Sequence, residues 1–214
     1  MTLWLWIIIG FLSGSVMYAH LLSRIARVDL RTIGDGNPGA FNLWRAAGYR
    51  FGLLAVILDF MKGFAPVAIC LRTGFIHPDD PALIPIAAAP VLGHLFSPLL
   101  RFRGGKGIAV TFGVWSALTA FEVTIIYAAI LAVLLVIGRA LNGWRPTSSE
   151  ADAFMVVLGM VAVSVWLHEG PYPAAVFRGW CTNIALMIWA HRDGLRVFLK
   201  KRINRAEGQE SRGR

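Results

Sequence analysis

The sequence predicts an all-α integral membrane protein of about seven transmembrane helices, with the amino terminus outside and the carboxyl terminus cytoplasmic. Three observations carry this expectation. Apolar residues make up 57% of the chain and charged residues 15%, against roughly 45–50% and 25% in soluble domains, and the mean hydropathy is +0.61. The apolar residues gather in runs close to the ~20 residues with which an α-helix crosses a bilayer. The basic residues then fall almost wholly on one side of those runs.

In chain order the runs are Leu3 to Leu22, Phe51 to Leu71, Ala82 to Leu99, Gly107 to Leu118, Val123 to Ile137, Ala153 to Leu167 and Ala174 to Ala190. The first is too long for a secretory signal and lacks a small-residue cleavage pattern, so it is counted with the mature fold. Several are short, and the fourth and fifth also admit a reading as one bent pair. With the amino terminus outside, the inner segments hold Arg24, Arg27, Arg31, Arg45 and Arg50, then Arg101, Arg103 and Lys106, then Arg139 and Arg145, then every basic residue from Arg192 onward. Of the 21 basic residues only Lys62, inside the second run, and Arg72 and Arg178, near outer ends, fall elsewhere. This is the asymmetry of the positive-inside rule. The outer turns carry Asp79, Asp80, Glu122, His168 and Glu169.

One helical membrane domain, residues 1–194, followed by a basic tail, residues 195–214, is the economical division. In the tail Leu195, Phe198, Leu199 and Ile203 recur at helical spacing among Arg196, Lys200, Lys201, Arg202 and Arg205. That pattern predicts a helix lying partly on the anionic inner leaflet, while Ala206 to Arg214 read as solvated. The net charge of +9 points to topology together with phosphorylated ligands and membrane lipid, not to nucleic acid. Cys70 and Cys181 each sit inside an apolar run and read as small buried hydrophobes, with neither a disulfide framework nor a metal site implied.

Between the first and second runs Gly34-Asp35-Gly36-Asn37-Pro38-Gly39 matches G-x-G-x-x-G as a string. A dinucleotide turn needs a preceding strand and an acidic residue about 20 positions on. Here the turn follows a membrane helix and Asp59 falls inside the second run, which excludes that reading. A phosphate reading survives, because closely spaced glycines let successive backbone N–H groups converge on an anion. Asn37 and Pro38 read as the N-cap and first residue of a short helix ending at Gly48, on which Asn42 and Arg45 share a face. A membrane-surface turn held by Asn37 is the plainer alternative.

A second cluster, Arg103-Gly104-Gly105-Lys106-Gly107, opens the fourth run on the same side. There the N–H groups of a helix start, its positive end and Lys106 coincide; Walker A spacing is absent. Two glycine-rich basic loops on one side favour a phosphate ligand over a topology signal alone. Asp59 and Lys62, three apart, lie about 12 to 17 Å into the second run and read as a structural pair or pocket wall.

Taken in order, Ser15, Asp29-Leu30-Arg31, the GDGNPG turn continuing through Ala40, Asn42 and Arg45, Asp59-x-x-Lys62-Gly63, Gly93-His94-x-Phe96, Phe102-x-Gly104-Gly105-Lys106-Gly107 and His191-Arg192-Asp193 resemble the bacterial acyl-phosphate:glycerol-3-phosphate acyltransferases, the PlsY family. The resemblance spans almost the whole chain. It implies seven spans with cytoplasm-facing motifs in a bacterial inner membrane, and acyl transfer from acyl phosphate to sn-glycerol 3-phosphate, giving lysophosphatidic acid and phosphate. No cofactor, metal or coenzyme A is implied; the soluble enzyme that makes acyl phosphate is an implied partner. By the same resemblance Arg45 and Lys106 bind phosphates, and Gly34, Asp35, Gly36, Asn37, Gly39, Gly104, Gly105 and Gly107 shape their pockets. Asn42, His94 and His191 line the site with Ser15 beside it. For His191, interfacial packing is the preferred reading over proton handling.

Departures from the family pattern are equally specific. Asp35 stands where serine is usual, and such a carboxylate would repel phosphate unless protonated or paired, with Arg31 or Arg45 as the expected partner. The run His191-Arg192-Asp193-Gly194 lacks the usual asparagine, the Gly-x-Glu pattern beyond it is missing, and Met17 replaces a proline. Substrate choice and activity are what these changes touch. The alternatives are therefore a related acyltransferase with another polyol-phosphate acceptor, an inactive relative, and a small transporter of a phosphorylated solute. No internal repeat of the kind transporters show is visible. No histidine is followed by the His-x-x-x-x-Asp dyad of the other glycerophosphate acyltransferase class.

Overall fold

The computed structural model describes the backbone of residues 2–210 and the side chains of residues 2–204. It is all helical among the described residues: α1 (Leu3–Ser15), α2 (Tyr18–Ile25), α3 (Ala40–Ala47), α4 (Tyr49–Arg72), α5 (Leu83–Leu95), α6 (Ile108–Leu118), α7 (Glu122–Leu141), α8 (Ser149–Glu169) and α9 (Ala174–Glu210). Among the described residues five segments are long and apolar enough to cross a membrane: Leu3–Ile25, Tyr49–Arg72, Leu83–Leu100, Glu122–Leu141 and Ser149–Glu169. The protein is an all-α integral membrane protein. The fourth and seventh predicted runs correspond to α6, which at 11 residues is only about 16 Å long, and to the first half of α9.

The bundle is organised by close helix crossings. α1 packs on α5 and α4, α4 on α6, α5 on α9, α9 on α8 and α8 on α7. At the α4–α6 crossing Gly63 faces the backbone of Val110 and Gly113 faces that of Phe60, so tightly that a Cβ on either would overlap a carbonyl oxygen. Such small-residue contacts suit a membrane, where close packing must replace much of the hydrophobic drive between helices. The main core gathers Trp6, Val67, Val91, Val110, Trp115, Tyr127, Met160, Trp180 and Met187. Its aromatic centre is ordered: Trp115 meets Trp180 edge-on at 4.7 Å between centroids, and Trp180 Nε1–H donates to Met160 O at 3.0 Å. A smaller cluster of Ala19, Leu30, Leu43 and Ala55 seats α2 and α3 on α4.

The first predicted run is interrupted. α1 ends at Ser15 with Val16 extended, and α2 restarts at Tyr18. Lys62 accounts for the break's stability: its ammonium donates to Val16 O at 2.6 Å and pairs with Asp59 at 2.7 Å. Ser13 Oγ–H donates back to Lys62 O at 2.8 Å. The bent-pair reading of the fourth and fifth runs fails. α6 and α7 turn back on each other through Ala120 and Phe121, both in the left-handed region; Ser116 bonds Thr124 at 3.0 Å and Phe112 packs on Tyr127.

Two further expectations are corrected. Cys181 is exposed while Cys70 is buried, because α9 turns Trp180, Asn183 and Met187 inward and leaves Cys181 on its outer face. The short helix starts two residues later than expected, with Gly39 and not Asn37 as N-cap, although it does end at Gly48. The Asn37 carbonyl is already engaged by Asn42 Nδ2–H at 3.0 Å. In the backbone α9 continues past Gly194 to Glu210; residues 211–214 of the predicted tail lie outside the described residues.

Candidate active site

Three clefts meet at Lys106. The largest, about 780 Å³, is walled by Asp35 to Pro38, Phe102 to Lys106, the start of α8 at Ser149 and Glu150, and α9 from Trp189 to Gly194. A second, about 410 Å³, holds Gly34, Asn42, Arg45 and Asp152. Asp35, Asn37, Lys106, Ser149 and His191 line both and form the ridge between them. The third, about 410 Å³, is mainly apolar, with Val56, Phe60, Ile108 and Phe112 in its walls and Asp59 and His94 as its polar margin; it too reaches Lys106 and Asn37.

Asp35 pairs with neither Arg31 nor Arg45. Arg31 is held by Asp29 at 2.9 Å, and Asp35 Oδ2 lies 2.7 Å from Lys106 Nζ, 71 residues away in the chain. Asn42 Nδ2–H donates to Asp35 Oδ1 at 2.8 Å and the Asn37 N–H at 3.2 Å. Partial burial works to raise the Asp35 pKa, but the Lys106 ammonium and the Asn42 amide outweigh it and hold the carboxyl at about 2. It is therefore an anion throughout the neutral range. Ser149 Oγ spans the pair, 3.4 Å from Lys106 Nζ and 3.5 Å from Asp35 Oδ2.

Arg45 makes no ion pair among the described residues; its guanidinium lies over the Phe41 ring at 4.6 Å. Its Nη1 faces Gly34, 3.3 Å from where a Cβ would stand, and Asn42 Oδ1 is nearer still. Gly34, with φ of +58°, is thus fixed both by backbone conformation and by the two side chains against it.

Gly104 and Gly105 use their amides within the protein. Their N–H groups donate to Leu95 O and His94 O, each at 3.1 Å, so these amides are spent on fixing the loop to the end of α5. A Cβ on Gly104 would overlap His94 O, and one on Gly105 would overlap His94 Nε2. His94 is the buried floor beneath the loop, while no backbone partner is found for the N–H groups of Lys106 and Gly107 among the described residues. Gly105→Ala is accordingly expected to lower stability by about 1–3 kcal/mol through overpacking, and His94→Ala in the same chain to restore part of it. Thermal unfolding in detergent checks this.

His191 is buried and its Nδ1 lies 2.9 Å from Met187 O. A carbonyl only accepts, so Nδ1 carries the proton and Nε2 of the neutral ring is a bare acceptor; it has no protein partner. The residue lies one position past the last predicted run. Burial is the main reason its pKa falls to about 4, helped by Lys106 and opposed by the Met187 hydrogen bond and by Asp35.

Ser15 does not join this constellation. Its hydroxyl donates to Phe11 O at 2.7 Å and its carbonyl accepts from Ser97 at 2.6 Å, so it ties α1 to the turn after α5. Asn42 reaches the site through Asp35 and Asn37. Sequence reasoning missed Ser149, Glu150 and Trp189. The hydroxyl-rich run Thr147-Ser148-Ser149 ahead of Glu150 and Asp152 was the available signal, since it reads as a helix start; Ser148 caps α8 at Ala151 N, 3.4 Å. Among the described residues no group of His, Cys, Asp and Glu is placed to hold a metal ion.

Residues 4–201 match the family model described as glycerol-3-phosphate acyltransferase. The chain is 40% identical over 199 residues to glycerol-3-phosphate acyltransferase 1 of Thermotoga maritima, covering 91% of this chain and 96% of the relative. It is 31% identical to the glycerol-3-phosphate acyltransferase of Aquifex aeolicus, covering 93% and 96%. Two crystal structures of PlsY, an integral membrane glycerol 3-phosphate acyltransferase, share its fold. The glycerol 3-phosphate form superposes with a TM-score of 0.80 at 28% identity, and the lysophosphatidic acid form with 0.78 at 29%; each match covers 94% of this chain and 93% of the other. With residues 4–201 matched by the family model and nearly its full length shared with these relatives, the chain belongs to the glycerol-3-phosphate acyltransferase family.

Proposed function

We propose that the protein transfers an acyl chain from acyl phosphate to sn-glycerol 3-phosphate, releasing lysophosphatidic acid and phosphate. The observation that carries this is the junction at Lys106, where two polar clefts and one apolar slot meet at a single ammonium. Both substrates bring a phosphate and only one brings a long apolar chain. In this reading the chain lies in the slot beside Phe60 and Phe112, Lys106 and Arg45 take the phosphates, and Asn42 positions the loop. The glycine loops give shape, with the free amides of Lys106 and Gly107 completing the anion contacts.

An acyl phosphate already carries a good leaving group, so positioning and charge stabilisation suffice without an acyl-enzyme. The glycerol hydroxyl oxygen bonds to the acyl carbon, the bond from that carbon to the phosphate oxygen breaks, and the electron pair leaves with the phosphate. The hydroxyl proton goes to the departing phosphate, which is released as the hydrogen phosphate dianion and is a stronger base than His191, whose pKa burial lowers to about 4. His191 Nε2 then serves as an acceptor that orients the hydroxyl. The clefts would open to the cytoplasm of a bacterial inner membrane, with seven spans, the amino terminus outside and the acyl-phosphate-forming enzyme delivering donor from the soluble side.

The test is direct. Purified protein given acyl phosphate and labelled glycerol 3-phosphate is expected to form labelled lysophosphatidic acid; folded protein without product would overturn the proposal. A panel of polyol phosphates fixes the acceptor, and uptake of the phosphate into proteoliposomes without donor would favour a transporter. Asp35→Ser frees Lys106 from its carboxylate and is expected to lower the KM for glycerol 3-phosphate several-fold with kcat kept. A dead variant would instead give Asp35 an obligatory role in this chain.

A further inference from the structure

A fourth cleft lies outside the constellation at Lys106, between the end of α7, the start of α8 and α9. Its volume is about 550 Å³, within the range of ligand pockets. The lining is graded along the helix axes. Leu134 and Leu158 form its deep end, seven residues before the end of α7 and nine after the start of α8, so about 10 to 14 Å inward at 1.5 Å per residue. Lys201 and Arg202 stand at its shallow end together with Ser148.

The cations are held in place there. Phe198 stacks on Phe154 at 4.6 Å, the Arg202 guanidinium lies over Phe198 at 5.5 Å, and Lys201 pairs with Glu150. Apolar residues remain open around the cleft: Leu141 is 81% exposed and Leu158 40%. A free anion would meet the charges but leave that apolar wall bare, and a neutral chain would leave the charges unanswered. An amphiphile with an anionic head matches both ends, in the orientation a leaflet lipid has beside helices ending at that surface.

We propose that this cleft is a binding site for a single anionic phospholipid, with its phosphate between Lys201 and Arg202 and its acyl chains along Leu134 and Leu158. Glu150 lines this cleft and the large cleft at Lys106 alike. A lipid phosphate that takes Lys201 from Glu150 therefore leaves a bare carboxylate facing the substrate cleft. The proposal does not depend on the reaction assigned above.

Native mass spectrometry of the full chain, released from a neutral detergent containing phosphatidylglycerol or phosphatidylcholine, tests it. The wild-type protein is expected to retain phosphatidylglycerol selectively. Lys201→Gln with Arg202→Gln should weaken retention by about tenfold, equal to about 1.4 kcal/mol. The control Arg196→Gln with Lys200→Gln removes the same charge from the same helix outside the cleft and should keep the lipid. Gly138→Leu, which projects toward Met155 and Thr147 in the cleft, should lose it with no change in charge. Equal retention by all variants, equal loss in the control, or displacement by millimolar inorganic phosphate would each overturn the proposal.

Discussion

Lys106→Ala is expected to reduce acyl transfer by at least about a hundredfold while the protein stays folded. The magnitude follows from the position of the ammonium at the meeting point of the three clefts: removing one preorganised charge contact to a transition state costs about 10²–10³ in rate. The fold should survive because the Lys106 and Asp35 side chains remain 30% and 32% exposed, and ion pairs with that much solvent contribute about 0–1 kcal/mol. Asp35 also keeps its bonds from Asn42 and the Asn37 amide. Turnover measured beside thermal unfolding separates the two effects. Undiminished turnover would remove Lys106 from the site.

The reverse pattern is expected deeper in the bundle. Lys62→Met should cost about 3–5 kcal/mol of stability, the range for breaking a buried ion pair from one side. Here the loss is twofold: Asp59, whose side chain is 4% exposed, is left as a lone anion, and Val16 O at the α1–α2 break loses its donor. Adding Asp59→Asn to the same chain should restore most of the stability but not all, since the Val16 carbonyl stays unanswered. Denaturant unfolding of the single and double variants gives the coupling. A single variant as stable as the parent would mean that the pair contributes nothing to the fold.

Most of the helical layout was legible because membrane helices announce themselves through runs of apolar residues, and six of the seven runs coincide with single helices. The exception shows the limit. The break at Val16 and Met17 carries neither glycine nor proline, and what sustains it is a lysine 46 residues away. Likewise, the two glycine loops could be read as neighbours from their charge and predicted side of the membrane, but the packing reason for Gly104 and Gly105 could not. Their need for glycine comes from contact with the end of α5, and a steric requirement of that kind leaves the same letters in the sequence as a phosphate nest. Asp35 was recognisable as an anomaly, yet its partner was not. Arg31 and Arg45 are near in sequence, whereas Lys106 is brought in only by the crossing of α6 with α4. Ser149 was legible as part of a helix start but not as a neighbour of Asp35, since a contact across 114 residues leaves no local pattern.

On the proposed assignment of Lys106 to a substrate phosphate, the Asp35–Lys106 pair alters how that ligand enters. A bare lysine would offer incoming phosphate an open charge, and affinity would fall steeply with salt. Here the ammonium already has an anion, so ligand entry is an exchange in which one negative group leaves Lys106 as another arrives. Selectivity then rests on the margin between two oxyanions of different geometry, a planar carboxylate and a tetrahedral phosphate, and monovalent anions compete from a poor position against the tethered carboxylate.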